Sequence, residues 1–304
     1  MSTRKPWALL AAIIIFFAPQ YAAPQYAAAQ QYKRMPWHLT DIWWDFGKPH
    51  AFESYSIDVT IDKDVPESVR LYIAPIGLAH LNKTPFYGGL QTQSDGYTKA
   101  NKRLRGIGRG LLMSMWNERS PSAIRPADGG FWQSSGHEGD FVSIRRPFKW
   151  TKGTYTYRVV KMDRETVLRE PRKDENAKDQ PEGDKPAEVK ECTWVGAFLY
   201  SHETDENIFI GALRFPEIDM KLSRNVANFV EVYGPKISVG QIPKITVTFS
   251  NPKINGKSVE NVSASAIYPD GVPDFADAKG VDGAVIIKVG EEVKERKNRQ
   301  QKLF

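Results

Sequence analysis

The sequence predicts an all-β protein, an antiparallel two-sheet β-sandwich of jelly-roll type with about a dozen strands. Three observations predict it. Apolar and polar residues alternate at period two in one short segment after another. Helical periodicity is not sustained over eleven residues anywhere. Gly 23 and Pro 20 are spread along the chain, as turns between short strands require. With 304 residues, 41% of them hydrophobic, the chain can bury the core of one large all-β domain.

Taken in order, the chain opens on an export signal. Arg4 and Lys5 precede an apolar run, Ala8 to Phe17, and Ala27-Ala28-Ala29 supplies small residues for cleavage before Gln30. Residues 1–29 are therefore expected to be a signal peptide, and the protein to be secreted or periplasmic. The tandem Ala-Pro-Gln-Tyr-Ala at 18–22 and 23–27 blurs the cleavage point. An uncleaved N-terminal anchor, the one route to a membrane, stays open. Residues 30–51 form an aromatic-rich segment with Trp37, Trp43, Trp44 and Phe46 beside Asp41 and Asp45.

The sandwich itself is expected over 52–290. Tyr55, Ile57, Val59 and Ile61 alternate with Ser56, Asp58 and Thr60, and Val69, Leu71 and Ile73 repeat the pattern. Further strands are expected at 86–92, 110–117, 141–147, 154–161, 192–201, 207–215, 228–233, 244–249, 263–268 and 284–289. Asn255-Gly256 and Asp270-Gly271 mark turns. Residues 163–191, dense in charge and carrying Pro171, Pro181 and Pro186, are expected to be a solvated insertion between strands of one domain. Residues 291–304 are expected to be a frayed polar tail.

Composition excludes several classes. The single cysteine, Cys192, rules out an intrachain disulfide and a cysteine-rich zinc site; in its apolar strand it reads as a small buried hydrophobe. A net charge of +6, scattered along the chain, does not argue for nucleic acid. Gly106-Ile107-Gly108 precedes a strand rather than a helix, which fails the phosphate-loop pattern. Ser143 lacks a nucleophile-elbow context.

Four places could carry chemistry. The first is the N-terminal aromatic cluster: indoles stack on the C–H faces of sugars while carboxylates accept from their hydroxyls. Against this, the same aromatics could pack an N-terminal strand into the core. The second is the loop from Gly129 to Asp140, where Gly136 and Gly139 bracket His137 and Glu138. His137 could act as acid, base or ligand, with Trp116, Trp132, Tyr87 and Arg145 as neighbours in a binding depression; plain turn chemistry is the alternative. The third is Glu217-Ile218-Asp219, a carboxylate pair like that of sandwich-fold endoglucanases. Those enzymes place a further Glu two or three residues on, where this chain has Lys221 and Leu222. The fourth is Asp270, Asp274, Asp277 and Asp282, oxygen donors that could hold calcium but lack the closing Glu of an EF-hand loop; a polar Gly/Pro loop is the better reading, and no cofactor or metal is expected.

Several stretches occur in a familiar order: Phe86-Tyr87-Gly88-Gly89-Leu90-Gln91, Leu112-Met113-Ser114-Met115-Trp116-Asn117, Gly136-His137-Glu138-Gly139, Phe148-Lys149-Trp150 with Gly153-Thr154-Tyr155, and Trp194-Val195-Gly196-Ala197-Phe198. Together they resemble the exported bacterial family called domain of unknown function 3472, over roughly 52–289. The resemblance implies one concanavalin-like sandwich of the lectin and glucanase type and carries no activity or catalytic residue. The function expected is glycan binding without catalysis. A polysaccharide hydrolase or lyase using His137 and Glu138, and a structural envelope protein, are the alternatives.

Overall fold

The computed structural model describes residues 32–98, 103–136, 139–169, 188–234 and 237–304. The expected signal peptide lies outside the described residues. Among those described, twenty strands and two short 3-10 turns form two antiparallel sheets. The larger has eleven strands. Its path is β20 (Gln300–Lys302), β17 (Ser263–Ile267), β1 (Trp37–Asp45), β14 (Asn225–Val232), β4 (Leu71–Leu81), β5 (Thr84–Gly96), β6 (Arg105–Trp116), β9 (Gly139–Pro147) and β8 (Phe131–Gly136), with β2 (His50–Ala51) and β13 (Lys221–Leu222) joined beside β4. The smaller sheet, of nine, runs β18 (Ala276–Val281), β19 (Ala284–Val289), β15 (Ile245–Ile254), β3 (Ser54–Ile61), β10 (Gly153–Arg169), β11 (Glu188–Ser201), β12 (Glu206–Phe215) and β7 (Ile124–Pro126), with β16 (Lys257–Ser258) paired to β15. The chain is thus a two-sheet antiparallel β-sandwich.

Period-two alternation sets which face enters the core. On β3, Tyr55, Ile57, Val59 and Ile61 are buried and the residues between them are only partly so. One large cluster fills the space between the sheets, with Trp44 and Trp150 among its fully buried side chains. A buried polar bridge runs through it. Asn228 on β14 accepts from Trp44 Nε1 and donates to the Pro75 carbonyl on β4, so none of these polar atoms is orphaned. Hairpins close where the turn chemistry demands: Asn255-Gly256 (φ 53° and 75°) joins β15 to β16, and Asp282-Gly283 (49° and 75°) joins β18 to β19.

The twelve expected strands are present with shifted ends. The second starts at Leu71 rather than Val69 and runs on to Leu81. The described part of the aromatic segment 30–51 packs as an N-terminal strand, the alternative the sequence offered to a glycan cluster. It supplies β1, a central strand of the larger sheet between β14 and β17. Trp37, Trp44 and Phe46 are buried in the core, and Trp44 meets Phe304 edge-on. The tail is not frayed. Gln300–Lys302 pairs with β17, Leu303 and Phe304 pack on the core, and Arg296 lies over the Tyr268 ring at 3.4 Å. Burial of two apolar residues and one stacked guanidinium offsets the ordering entropy that polar composition alone suggested would win.

The expected insertion 163–191 begins and ends inside strands. Arg164–Arg169 pairs with Glu188–Thr193 as a two-stranded arm beyond the sheet. Its root is clamped: Trp194 Nε1 donates to Glu165 at 2.6 Å, and the Arg125 guanidinium lies 3.6 Å over the Trp194 ring while pairing with Asp163 at 2.7 Å. Register partners Leu168 and Val189 are exposed on the arm. Residues 170–187 lie outside the described residues.

Candidate functional site on the outward face of the larger sheet

Positions that alternate with the core residues of the larger sheet face away from the smaller one. On that face Tyr72, Ala74, Tyr87, Leu112 and Phe229 form a cluster separate from the core, with Trp116 and Tyr233 packed against it. Tyr87 and Trp116 lie with ring centroids 4.6 Å apart, and Tyr72 meets Phe229 edge-on at 5.2 Å. Gly77 makes room for the Phe229 ring, because a Cβ there would lie 2.4 Å from it. The Tyr72 hydroxyl is buried with no hydrogen-bond partner. Burial, then the neighbouring Tyr87, Tyr157 and Glu231, hold its pKa far above the ordinary tyrosine value.

Beside Phe229 sits His38, whose ring lies 4.4 Å from the phenyl. Its Nδ1 is 2.8 Å from Asp41 Oδ1 and its Nε2 2.9 Å from Glu231 Oε2. Both ring nitrogens face carboxylate oxygens, an arrangement that suits the imidazolium. Burial pushes the His38 pKa down, but the two hydrogen-bonded carboxylates outweigh it and raise the value to about 10.

Further along the same face, Trp43 borders a depression of about 510 Å³, lined also by Asp45, Asn225, Ser263, Ala264, Ser265, Gln300 and Lys302. Trp43 is partly exposed, one step from the buried Trp44, because successive strand residues point to opposite faces. Four strands build the depression: β1, β14, β17 and β20. Asp45 is fixed at its rim by Arg224, whose guanidinium donates to both carboxylate oxygens at 2.6 Å. That contact, with the Gly47 N–H, holds the Asp45 carboxyl below the usual carboxylate range.

The expected sites fare differently. The aromatic cluster divides: Trp37, Trp44 and Phe46 belong to the core, while Trp43, Asp41 and Asp45 face outward. His137 and Glu138 lie outside the described residues. Of their expected neighbours, Tyr87 and Trp116 are together, but Trp132 meets Tyr97 instead, their rings tilted by 44° with centroids 5.3 Å apart. Arg145 is buried and committed elsewhere: it donates to the Asp95 carboxylate at 2.9 Å and carbonyl at 3.0 Å, and Gln133 reaches the same carboxylate. It ties the end of β5 to β9 across the intervening β6, and the buried guanidinium has the carboxylate partner it needs. Glu217 and Asp219 sit in the loop after β12, with Asp219 exposed. Ser143 is buried and receives a hydrogen bond from Ser114 at 2.8 Å.

The calcium candidates Asp270, Asp274 and Asp277 have arginine partners. Asp274 receives Arg296 Nε at 2.9 Å and Arg299 at 2.5 Å; Asp277 lies 3.7 Å from Arg296, and Asp270 lies 3.1 Å from Arg299. Two guanidinium groups occupy the oxygens a cation would need. Among the described residues no group of three or more acidic, His or Cys side chains is placed to hold a metal.

Sequence reasoning missed His38, Glu231, Phe229 and the tail residues Gln300 and Lys302. A signal for Phe229 was present. In Asn225–Val232 the inward positions are Val226, Asn228, Val230 and Val232, which leaves an aromatic on the other face.

Fold and site define a two-sheet antiparallel sandwich with an aromatic and polar outward face. No family model and no curated protein matches the chain. Among solved structures it is similar to scytalido-glutamic peptidase with a transition state analog inhibitor, at 10% identity and a TM-score of 0.37, over 84% of this chain and 98% of that one. No helix among the described residues is long and apolar enough to cross a membrane.

Proposed function

We propose that this chain is an exported, secreted or periplasmic glycan-binding protein without catalysis, and that it takes its ligand on the outward face of the larger sheet. One observation carries the reading: a partly exposed indole, Trp43, borders a 510 Å³ depression whose other lining is almost wholly Asp, Asn, Ser, Gln and Lys. A pyranose offers a C–H face to an indole and a rim of hydroxyls to amides, carboxylates and ammonium groups. Arg224 and the Gly47 N–H fix Asp45 at the rim and fill its Oδ1, while Oδ2 accepts only from Arg224 and keeps a lone pair for a ligand hydroxyl.

The test is a glycan array with the chain from Gln30 onward, followed by Trp43→Ala on every positive glycan. Loss of stacking should weaken binding about tenfold at an unchanged melting temperature. Product analysis on the same glycans checks for turnover. A blank array, or binding indifferent to Trp43→Ala, overturns the reading, and cleavage of a bound glycan replaces it with the hydrolase or lyase alternative.

A further inference from the structure

Strand register places Trp43 in a row that crosses the larger sheet. Trp43 pairs with Ala227, Ala227 with Leu78, and Leu78 lies beside Tyr87 because Ala79 pairs with Phe86. Tyr87 pairs with Ser114, two residues before Trp116 on the same face. On the other side Trp43 pairs with Ser265, and Ser265 with Lys302. The row therefore leads between two stations, the partly exposed indoles Trp43 and Trp116, the latter backed by the buried Tyr87 ring. They stand three to four strand spacings apart, about 14–19 Å. Between them the row residues are Ala227 and Leu78, and the Phe229 ring packs over Gly77 next to Leu78. Nothing polar in the row interrupts that floor.

We infer that the ligand of this face is an internal stretch of a linear polysaccharide, laid across the strands from Trp43 to the Tyr87–Trp116 pair. The inference rests on the glycan reading above and specifies its ligand. A single sugar is about as long as one strand spacing, roughly 5 Å, and can touch only one station. A linear chain places sugars on both stations with two or three units, at roughly 5 Å each, over the apolar floor between them. The second station then acts as a tethered site. Once Trp43 is occupied, the far end of the same chain is presented to Trp116 at high effective concentration, and affinity grows with chain length until both are filled. Chain ends play no part in such a mode.

The experiment is a calorimetric titration of the chain from Gln30 onward with cello-, xylo- and chito-oligosaccharides of two to seven units. Affinity in at least one series should rise tenfold or more between two and about five units and then level off. Trp43→Ala and Trp116→Ala should each flatten that rise to the short-oligomer value. If Trp116→Ala does not retain the wild-type melting curve, Trp43→Ala alone decides. Capping the reducing end of the longest oligomer should change nothing. Affinity independent of length, a strict requirement for a free chain end, or an array that responds only to branched glycans overturns the inference while leaving glycan binding in place. A blank array overturns the underlying reading instead.

Discussion

Replacing His38 by Gln should remove a pH dependence of stability that the wild-type carries between about pH 6.5 and 10. In the fold the imidazolium lies between Asp41 and Glu231, with both nitrogens within 2.9 Å of carboxylate oxygens. Its pKa is raised from 6.5 to about 10. A raised pKa means that the folded state holds the proton more tightly than the unfolded one. The added stability is therefore complete below pH 6.5 and is lost as pH climbs to 10. At about 1.4 kcal/mol per unit the unscreened gain would approach 5 kcal/mol. The side chain is 35% exposed, and water screening at such a site brings the realistic figure to about 1–2 kcal/mol. Urea unfolding at pH 6, 8 and 10 measures it: the wild-type should lose that much relative to His38→Gln across the window. Direct titration of the His38 ring by NMR gives the pKa itself. A ring that titrates near 6.5, or parallel pH profiles for the two proteins, would refute the clamp.

Other consequences follow from buried contacts. Asn228→Leu strands Trp44 Nε1 and the Pro75 carbonyl in the core and should cost about 2–4 kcal/mol by urea unfolding. Arg296→Ala strips the cation from the Tyr268 ring and from Asp274, and should cost about 2–3 kcal/mol while speeding hydrogen exchange in β20. Gly88→Ala would put a Cβ 2.1 Å from the Tyr157 hydroxyl and 2.9 Å from the Leu112 carbonyl, and should cost more than about 2 kcal/mol. Gly106→Ala, with nothing within 4 Å, serves as its neutral control.

Legibility in the sequence followed the physics of each element. β3 could be read because one of its faces is half-solvated, so alternation is visible residue by residue. β1 could be read only as a strand able to pack its aromatics into the core; its place inside the larger sheet could not, because His38–Trp44 carries aromatics on both faces and period two disappears. The Gly88-Gly89 pair stood out as a motif. Its cause is local and steric: Gly88 leaves room for Tyr157, and Gly89 approaches the Ile73 carbonyl, where a Cβ would lie 2.3 Å away. The acidic residues at 270–277 suggested a cation because their partners, Arg296 and Arg299, come from some twenty residues further on and meet them only through the fold. The same holds for the site. Trp43 and Asp45 were visible as glycan chemistry, but Gln300 and Lys302 join them only because the tail adds a strand to β17.

The central claim, that the outward face at Trp43 binds glycan, is tested most directly by the indole N–H resonances during titration with an oligosaccharide of five or more units from the series above. Trp43 lies at the depression and Trp116 at the far station, whereas Trp44, Trp150 and Trp194 are buried with their indole nitrogens already hydrogen-bonded. The account predicts shifts for Trp43 and Trp116 that saturate together, with Trp44, Trp150 and Trp194 unmoved. A saturating titration that leaves Trp43 in place would contradict it.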